Sequence, residues 1–289
     1  MADLLGRLLA KSGLRPSDRQ LVERWRAAIM NRPGLFFRLC RLLQVDKLTV
    51  SYLGRYSIDI DVRGGSISEE IVVKGSYQFS LMQTIAGLVD LERSLFVNVG
   101  ANIGTTCLNA HTLGARRFLA FEPVSRNFAL LEHNLRSNGI VAQLHQCALG
   151  RERSRAAINL HPKSAGRHSL KSAFENAATE EVAIEPLTRF ELGEPFFLWI
   201  DTEGFEYEVL AGAAGPIDTH CIGLCVEITP AICGSELVEQ TLVLLEARFD
   251  RFYAATGEPL AIDEVKRQAK SGNIAQLDLI CLDATRSAP

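Results

Sequence analysis

Leu95-Phe-Val-Asn-Val-Gly-Ala-Asn-Ile-Gly104, a helical stretch, and then Arg117-Phe-Leu-Ala-Phe-Glu-Pro123 decide the fold. An apolar run ends in a glycine turn, a helix follows, and a second apolar run ends in a carboxylate. A nucleotide-like ligand is bound by that order of elements at the carboxyl edge of a parallel sheet. Gly100 and Gly104 let the backbone approach a ligand and adopt angles that a side chain forbids. Glu122 follows Gly100 by 22 residues, where a second strand presents an acceptor to ribose hydroxyls.

The turn itself separates two ligands. A dinucleotide fingerprint, G-x-G-x-x-G, uses closely spaced glycines to admit a pyrophosphate to the helix amino end. Here the second glycine is missing, and Gly100, Ala101, Asn102, Ile103 and Gly104 stand in sequence. Asn102 offers an amide within the turn, which suits a zwitterionic amino acid better than a pyrophosphate. The glycine-poor turn with its distal ribose acceptor therefore favours S-adenosylmethionine over NAD. A tight strand-to-helix turn without a ligand is the bland alternative.

Composition sets the outer limits. The chain has 289 residues, 47% of them hydrophobic, enough for a sizeable core and unlike a disordered segment. The net charge of -3 gives no argument for nucleic acid as a partner. Residues 1–47 are nevertheless basic, with ten Lys or Arg against four Asp or Glu. That leader is read as the solvated face of amphipathic helices, with peripheral contact to an anionic membrane or partner as the second reading. The seven cysteines, among them Cys221 and Cys225, include no C-x-x-C pair. Zinc is therefore not expected, and a reducing compartment is. No signal-peptide pattern and no transmembrane run is found, so the expected location is cytoplasmic.

Leu4, Leu5, Leu8 and Leu9, then Leu21, Trp25, Ala28 and Ile29, then Leu35, Leu39, Leu42 and Leu43 mark helical faces. Residues 1–47 are accordingly expected to be a helical extension, and 48–289 the main domain. Within it, Leu48 to Val62 alternates as a hairpin does, inside a hairpin region spanning 48–75. Phe79 to Leu91 reads as a helix. Strands are expected at 95–100, 117–122, 141–148, 196–201 and 221–228, with helices at 103–112, 125–137, 204–212 and 235–248. Such alternation gives an α/β fold, a mostly parallel sheet with helices on both faces. Arg251-Phe-Tyr and Gln276-Leu-Asp-Leu-Ile-Cys-Leu282 are two closing strands, joined by a polar connection, that form an antiparallel edge. Residues 151–194, centred on His161-Pro-Lys-Ser-Ala-Gly-Arg-His-Ser169, read as an irregular insertion, either a surface loop or a substrate cap.

A second motif, Phe196-Phe-Leu-Trp-Ile-Asp-Thr-Glu-Gly-Phe-Glu206, delivers Asp201 and Glu203 to the end of an apolar strand. If the strand extends that far, alternation sends both carboxylates the same way. Paired carboxylates raise one another's pKa, which suits a base that takes a hydroxyl proton. The plainer reading is an acidic helix amino end.

Taken together, these segments resemble the FkbM family of S-adenosylmethionine-dependent methyltransferases. The matching stretches are Val97-Asn-Val-Gly-Ala-Asn-Ile-Gly104, Ala120-Phe-Glu-Pro123 with Asn127 and Asn134, Ala148-Leu-Gly150, Ile200-Asp-Thr-Glu-Gly-Phe-Glu206 and Cys225-Val-Glu-Ile228. The resemblance spans roughly residues 75 to 230. It implies a class I methyltransferase (Rossmann-like) fold and methylation of a hydroxyl on a sugar, glycoconjugate or natural product. Cofactor contacts are then expected at Asn98, Gly100, Asn102, Gly104, Glu122, Ala148 and Asp201, with Asp201 and Glu203 catalytic. Three positions depart from the family pattern: Asn98 replaces an Asp, Trp199 a Lys, and Arg189 disturbs a Thr-Leu-Asp run. His168 is a minor candidate for the base. No metal-ligand set is evident, although Asp201, Glu203 and Glu227 are the residues from which one would be built. An NAD-linked oxidoreductase and a non-catalytic binding module on the same fold are the competing readings.

Overall fold

The structure, a computed structural model, describes residues 32–286 apart from 43, 163, 176 and 271–275. The helical patterns read at Leu4–Leu9 and Leu21–Ile29 lie outside the described residues. The chain divides into two compact units, one of residues 32–77 with 164–166 and one of 78–162 with 167–286.

In the smaller unit, helix α1 (Pro33–Leu42) buries Phe36, Phe37 and Cys40. Pro33 suits the first helical position because its missing N–H has no partner there in any case. Strands β1 (Lys47–Tyr52) and β2 (Tyr56–Asp61) form the expected antiparallel hairpin, in register from Lys47 opposite Asp61 to Tyr52 opposite Tyr56. Helix α2 (Ser66–Lys74), which the sequence pattern did not reveal, ends where the Gly75 N–H bonds to the Ile71 carbonyl.

The larger unit runs α3 (Phe79–Ala86), β3 (Leu95–Val99), α4 (Thr105–Thr112), β4 (Arg117–Phe121), α5 (Ser125–Ser137), β5 (Gln143–His145), β6 (Ala148–Leu149), β7 (Ser154–Asn159) and β8 (Thr179–Glu185). It continues with β9 (Phe196–Ile200), α6 (Glu206–Gly212), α7 (Ala214–His220), β10 (Cys221–Ile228), α8 (Pro230–Cys233), α9 (Ser235–Glu246), β11 (Arg251–Tyr253), α10 (Ile262–Lys270) and β12 (Leu277–Leu282). Seven strands form one sheet in the order β11-β12-β10-β9-β3-β4-β5. The five strands from β5 to β10 are parallel, and β12 runs antiparallel between β10 and β11. This is the mixed α/β sheet of a class I methyltransferase fold, with its antiparallel closing edge. Every residue of β3 and of β9 is buried, as befits central strands covered on both faces. Among the described residues, no helix is long and apolar enough to cross a membrane.

Three stretches of the larger unit differ from expectation, the first being the strand expected at 141–148, which divides into β5 in the main sheet and β6 in a smaller one. Residues 151–194 are not irregular throughout: β7 pairs antiparallel with β8, and β6 lies parallel on the other side of β8. Only Ile158 is buried in β7, and Val182 and Ile184 in β8, so little alternation betrays these strands. The closing connection contains α10, whose buried stripe is limited to Val265 and Ala269 among charged neighbours.

Strand order reverses at β3, with β4 on one side and β9 on the other. A ligand crevice opens at such a point outside the carboxyl ends. Gly100, with φ of 82°, lies there, and a Cβ on it would overlap the Asp201 carbonyl oxygen. Gly100→Ala should therefore cost about 1–2 kcal/mol for the left-handed backbone and a further ~1–3 kcal/mol for the overlap. Gly139→Ala, at φ of 72° with nothing within 4 Å, should carry only the first cost. Thermal melting of the two variants checks this, and equal losses would show that Gly100 is not sterically confined.

Candidate active site

The glycine turn is held mainly by the end of β4. Gly100 and Ala101 donate to the Phe121 carbonyl at 3.0 and 2.9 Å, and Gly104 donates to Ala101 at 2.9 Å. The Asn102 N–H goes to Glu122 Oε2 at 2.8 Å, while Glu122 Oε1 accepts from the Val124 N–H at 2.9 Å. Glu122 is 4% exposed and thus both closes the turn and ends β4. Asn102 has φ of 49°, a left-handed conformation that asparagine tolerates better than most residues. Gly104 serves packing: a Cβ there would press on Leu131 and Leu135 of α5. Asn134 on the same helix donates to the Ile103 carbonyl at 2.9 Å.

The acidic side begins where β9 ends. The Asp201 N–H bonds to the Val99 carbonyl at 3.0 Å, so the end of β9 is stitched to the end of β3. Strand geometry stops at Ile200, and Glu203 adopts φ of 51°. The alternation expected to align Asp201 with Glu203 therefore does not operate. A turn brings Glu203 round instead, and Glu206 holds that turn. Glu206, 3% exposed, accepts at Oε1 from the Thr202 N–H at 3.1 Å, the Thr202 hydroxyl at 2.9 Å and the Gly204 N–H at 3.0 Å. A left-handed glutamate costs about 1–3 kcal/mol and persists only where its surroundings fix it. Ser169 supplies the remaining restraint, donating its hydroxyl to the Glu203 carbonyl at 2.7 Å.

Register explains the neighbours of Asp201. Ile200 is paired with Val226, so Asp201 follows alongside Glu227 on β10. Glu227 lies opposite Asp278 on β12 and accepts a hydrogen bond from the Thr229 hydroxyl at 3.3 Å. Burial pushes the Asp201 pKa well up, with Glu227 and then Glu203 adding charge repulsion. The hydrogen bond between the two favours the proton on Asp201 and the charge on Glu227. Burial raises Glu227 and Asp278 too. Glu203 is pushed up to about 7, by burial first and by Glu227 second, against the lowering influence of Arg167. Burial also lifts Glu122 to about 7, while the N–H groups of Val124 and Asn102 and the Asn127 side chain hold it down. A carboxyl that titrates near 7 can accept a proton at neutral pH and release it again.

The residues singled out in the sequence fall into two groups. Gly100, Asn102, Glu122 and Asp201 meet at the carboxyl ends of β3, β4 and β9. Asn98 lies deeper in β3 with no exposure; its Nδ2 donates to Cys107 Sγ at 3.4 Å, and its Oδ1 is buried without a donor. Ala148 is buried in β6, on the smaller sheet. His168 accepts the His161 N–H at Nδ1, 2.9 Å away, and so supports its own loop. Sequence reasoning missed Ser169 and Arg167, which lie in the stretch read as irregular, and gave no role to Glu206. The only signal for Glu206 was its place in the quoted acidic motif. Among the described residues, no three His, Cys, Asp or Glu are grouped so as to hold a metal ion.

Comparison with known proteins identifies the family. The family model described as the methyltransferase FkbM domain matches residues 98–252, more than half of the chain. "Methyltransferase 1" of Beauveria bassiana (strain ARSEF 2860) is 31% identical over 162 residues, which cover 46% of this chain and 65% of that protein. The FkbM methyltransferase of Methylobacillus flagellatus KT is 19% identical with a TM-score of 0.47, over 71% of this chain and 48% of that one. An rRNA methylase of Streptococcus thermophilus is 13% identical with a TM-score of 0.41, over 70% of this chain and 93% of that one. The chain thus spans about two thirds of the first relative and about half of the second. On the family match across residues 98–252, it belongs to the FkbM methyltransferase family.

Proposed function

We propose that the protein is an S-adenosylmethionine-dependent O-methyltransferase acting on a hydroxyl of a sugar, glycoconjugate or natural product. The observation that carries this reading is the contact of Gly100 with the Asp201 carbonyl, which makes the cofactor turn and the carboxylates one site. The residues suit the cofactor. Asn98 Oδ1 is a buried acceptor awaiting a donor such as the methionine ammonium. Glu122 accepts two backbone N–H groups and the Asn127 side chain, which leaves an acceptor site for a ribose hydroxyl. Gly100, Asn102 and Ala148 are assigned to the same ligand, as is Gly104 through the packing that shapes the turn. When bound, S-adenosylmethionine supplies an electrophilic methyl group.

The chain's own part is alignment and proton removal. Glu203 is the base: its pKa near 7 lets it take the hydroxyl proton as the oxygen becomes nucleophilic. Asp201, whose carboxyl burial and Glu227 push up, lines the site beside Glu203. Holding the acceptor in line contributes roughly 7–11 kcal/mol, and the base about 10²–10⁴-fold. The dinucleotide alternative is disfavoured, because the amides of Gly100, Ala101, Asn102 and Gly104 are all spent within the protein. Cytoplasmic residence belongs to the same proposal and is supported by seven free cysteines, consistent with a reducing compartment.

A labelled methyl donor with a panel of glycosides and hydroxylated natural products tests the activity; transfer to none of them by the folded protein would favour a binding module. For the cofactor, Glu122→Gln should weaken S-adenosylhomocysteine binding by about 1.5–3 kcal/mol. Wild-type affinity should also decline as pH falls through about 7. Calorimetry reads both, and unchanged affinity would remove Glu122 from the site.

With an acceptor in hand, Glu203→Gln should lower turnover about 10²-fold or more. Asp201→Asn should lower it less, with cofactor affinity little changed in either. Full activity of Glu203→Gln would transfer the role of base elsewhere.

Stability carries a separate signature. Glu203 titrates near 4.5 when unfolded and near 7 when folded. A raised carboxyl helps the folded state fully below 4.5, and that help is lost as pH rises through about 7. Glu203→Gln loses nothing over that interval. Its Tm relative to wild type should therefore rise between pH 4.5 and pH 8. A difference constant with pH would show that Glu203 titrates normally.

A further inference from the structure

The peptide between Glu203 and Gly204 is gripped from both sides. Its N–H donates to Glu206 Oε1 at 3.0 Å, and its carbonyl accepts the Ser169 hydroxyl at 2.7 Å. Glu206 belongs to the same motif, four residues from Thr202. Ser169 comes from 34 residues away, on the segment that follows Arg167.

Every hydrogen-bonding capacity of Ser169 is engaged. Its N–H and carbonyl form a bridge with Asn159 at the end of β7, at 3.1 and 2.9 Å. Its Oγ accepts the N–H of Lys171 at 3.0 Å and of Ser172 at 2.9 Å. A serine hydroxyl has one donor and two acceptor sites; the two acceptor sites fold the local loop, and the donor alone reaches Glu203. Ser169 is 1% exposed, so water cannot readily replace that bond. The same segment brings Arg167 close enough to bear on the Glu203 charge, and Lys171 Nζ over the Phe205 ring at 5.7 Å.

We propose that Ser169 is a positioning residue that fixes the Glu203 carboxyl, so that segment 167–172 and the base are set by one hydroxyl. The proposal rests on the reading of Glu203 as proton acceptor, and deepens it. It makes this segment the part of the fold through which an acceptor bound above the sheet is registered to its base. Without the Ser169 hydroxyl, the 203–204 peptide keeps only its Glu206 bond, and its carbonyl is free to turn away from the left-handed geometry. The carboxyl then leaves its half-buried place.

The titratable and charged groups facing Glu203 are Asp201 at the end of β9, Glu227 on β10, Glu206 on α6 and Arg167 on the segment itself. Burial is the largest influence on Glu203, ahead of Glu227 and Arg167. Release of the segment therefore moves the titration downward, even though the help of Arg167 is lost with it.

The experiment is a carbon-13 NMR titration of the full chain labelled at glutamate carboxyls, with the Glu203 signal assigned by its absence in Glu203→Gln. Wild type should titrate near 7, and Ser169→Ala should move toward 4.5. Ser169→Cys, which keeps the branching with a larger atom and a weaker donor, should move in the same direction and stands in if the alanine variant does not fold. With an acceptor available, kcat should fall at least about tenfold while S-adenosylhomocysteine affinity stays unchanged. A Glu203 titration unmoved in the folded variants overturns the proposal, whatever the acceptor. A wild type that methylates nothing overturns the methyltransferase reading instead, and leaves the titration decisive for Ser169.

Discussion

The carbonyl of Asp201 leaves no room for a side chain at position 100, and the rest of the site is arranged around that exclusion. Parallel pairing of β3 with β9 sets the distance: the two strands are in register from Leu95 opposite Phe196 to Val99 opposite Ile200. The pairing is strong because both strands are wholly buried. Side chains such as Phe196, Phe197 and Leu198 contribute roughly 1.5–3 kcal/mol each by leaving water. Lifting buried Glu122 from 4.5 to about 7 costs on the order of 3 kcal/mol. The apolar sheet can therefore carry several disfavoured carboxyls at its edge and remain folded.

One device is used twice at that edge. Asn102 and Glu203 both adopt left-handed backbone, at φ of 49° and 51°. Each lies in a turn closed by a buried glutamate that accepts nearby N–H groups, Glu122 for the first and Glu206 for the second. The two glutamates differ in what they have to spare. Glu122 takes the N–H groups of Asn102 and Val124 and the Asn127 side chain, whereas Glu206 Oε1 takes three donors and Oε2 the Cys233 thiol. Glu206 is thus spent on architecture, with four donors on its two oxygens.

Much of this was legible in the chain. β9 and β10 are continuous apolar runs, and Leu95 to Gly104 announces strand, turn and helix in order, so the main sheet could be read directly. Asp201 and Glu203 were found from their motif, although the reason they approach one another was not. That reason is a turn fixed by Glu206 rather than strand alternation. Ser169 was beyond reach because its bond to Glu203 joins residues with no shared periodicity. Strands β7 and β8 were hidden for a related reason: they bury few side chains, so neither face writes a pattern. Helix α10 was hidden by its charge, with a stripe only two buried residues wide.

The small sheet has one further consequence. β7 pairs with β8 along one side and, among the described residues, meets only Ser169 on the other, at its far end. A mostly open strand edge is a template on which a second chain can pair. Here that edge runs through Ser154, Arg155, Ala156 and Ala157, with Ser154, Arg155 and Ala157 exposed and Arg155 paired with Glu181 at 2.6 Å. Small and charged side chains give an incoming strand little apolar surface to bury. The segment that carries Arg167 and Ser169 is thus attached to an edge whose composition discourages self-association.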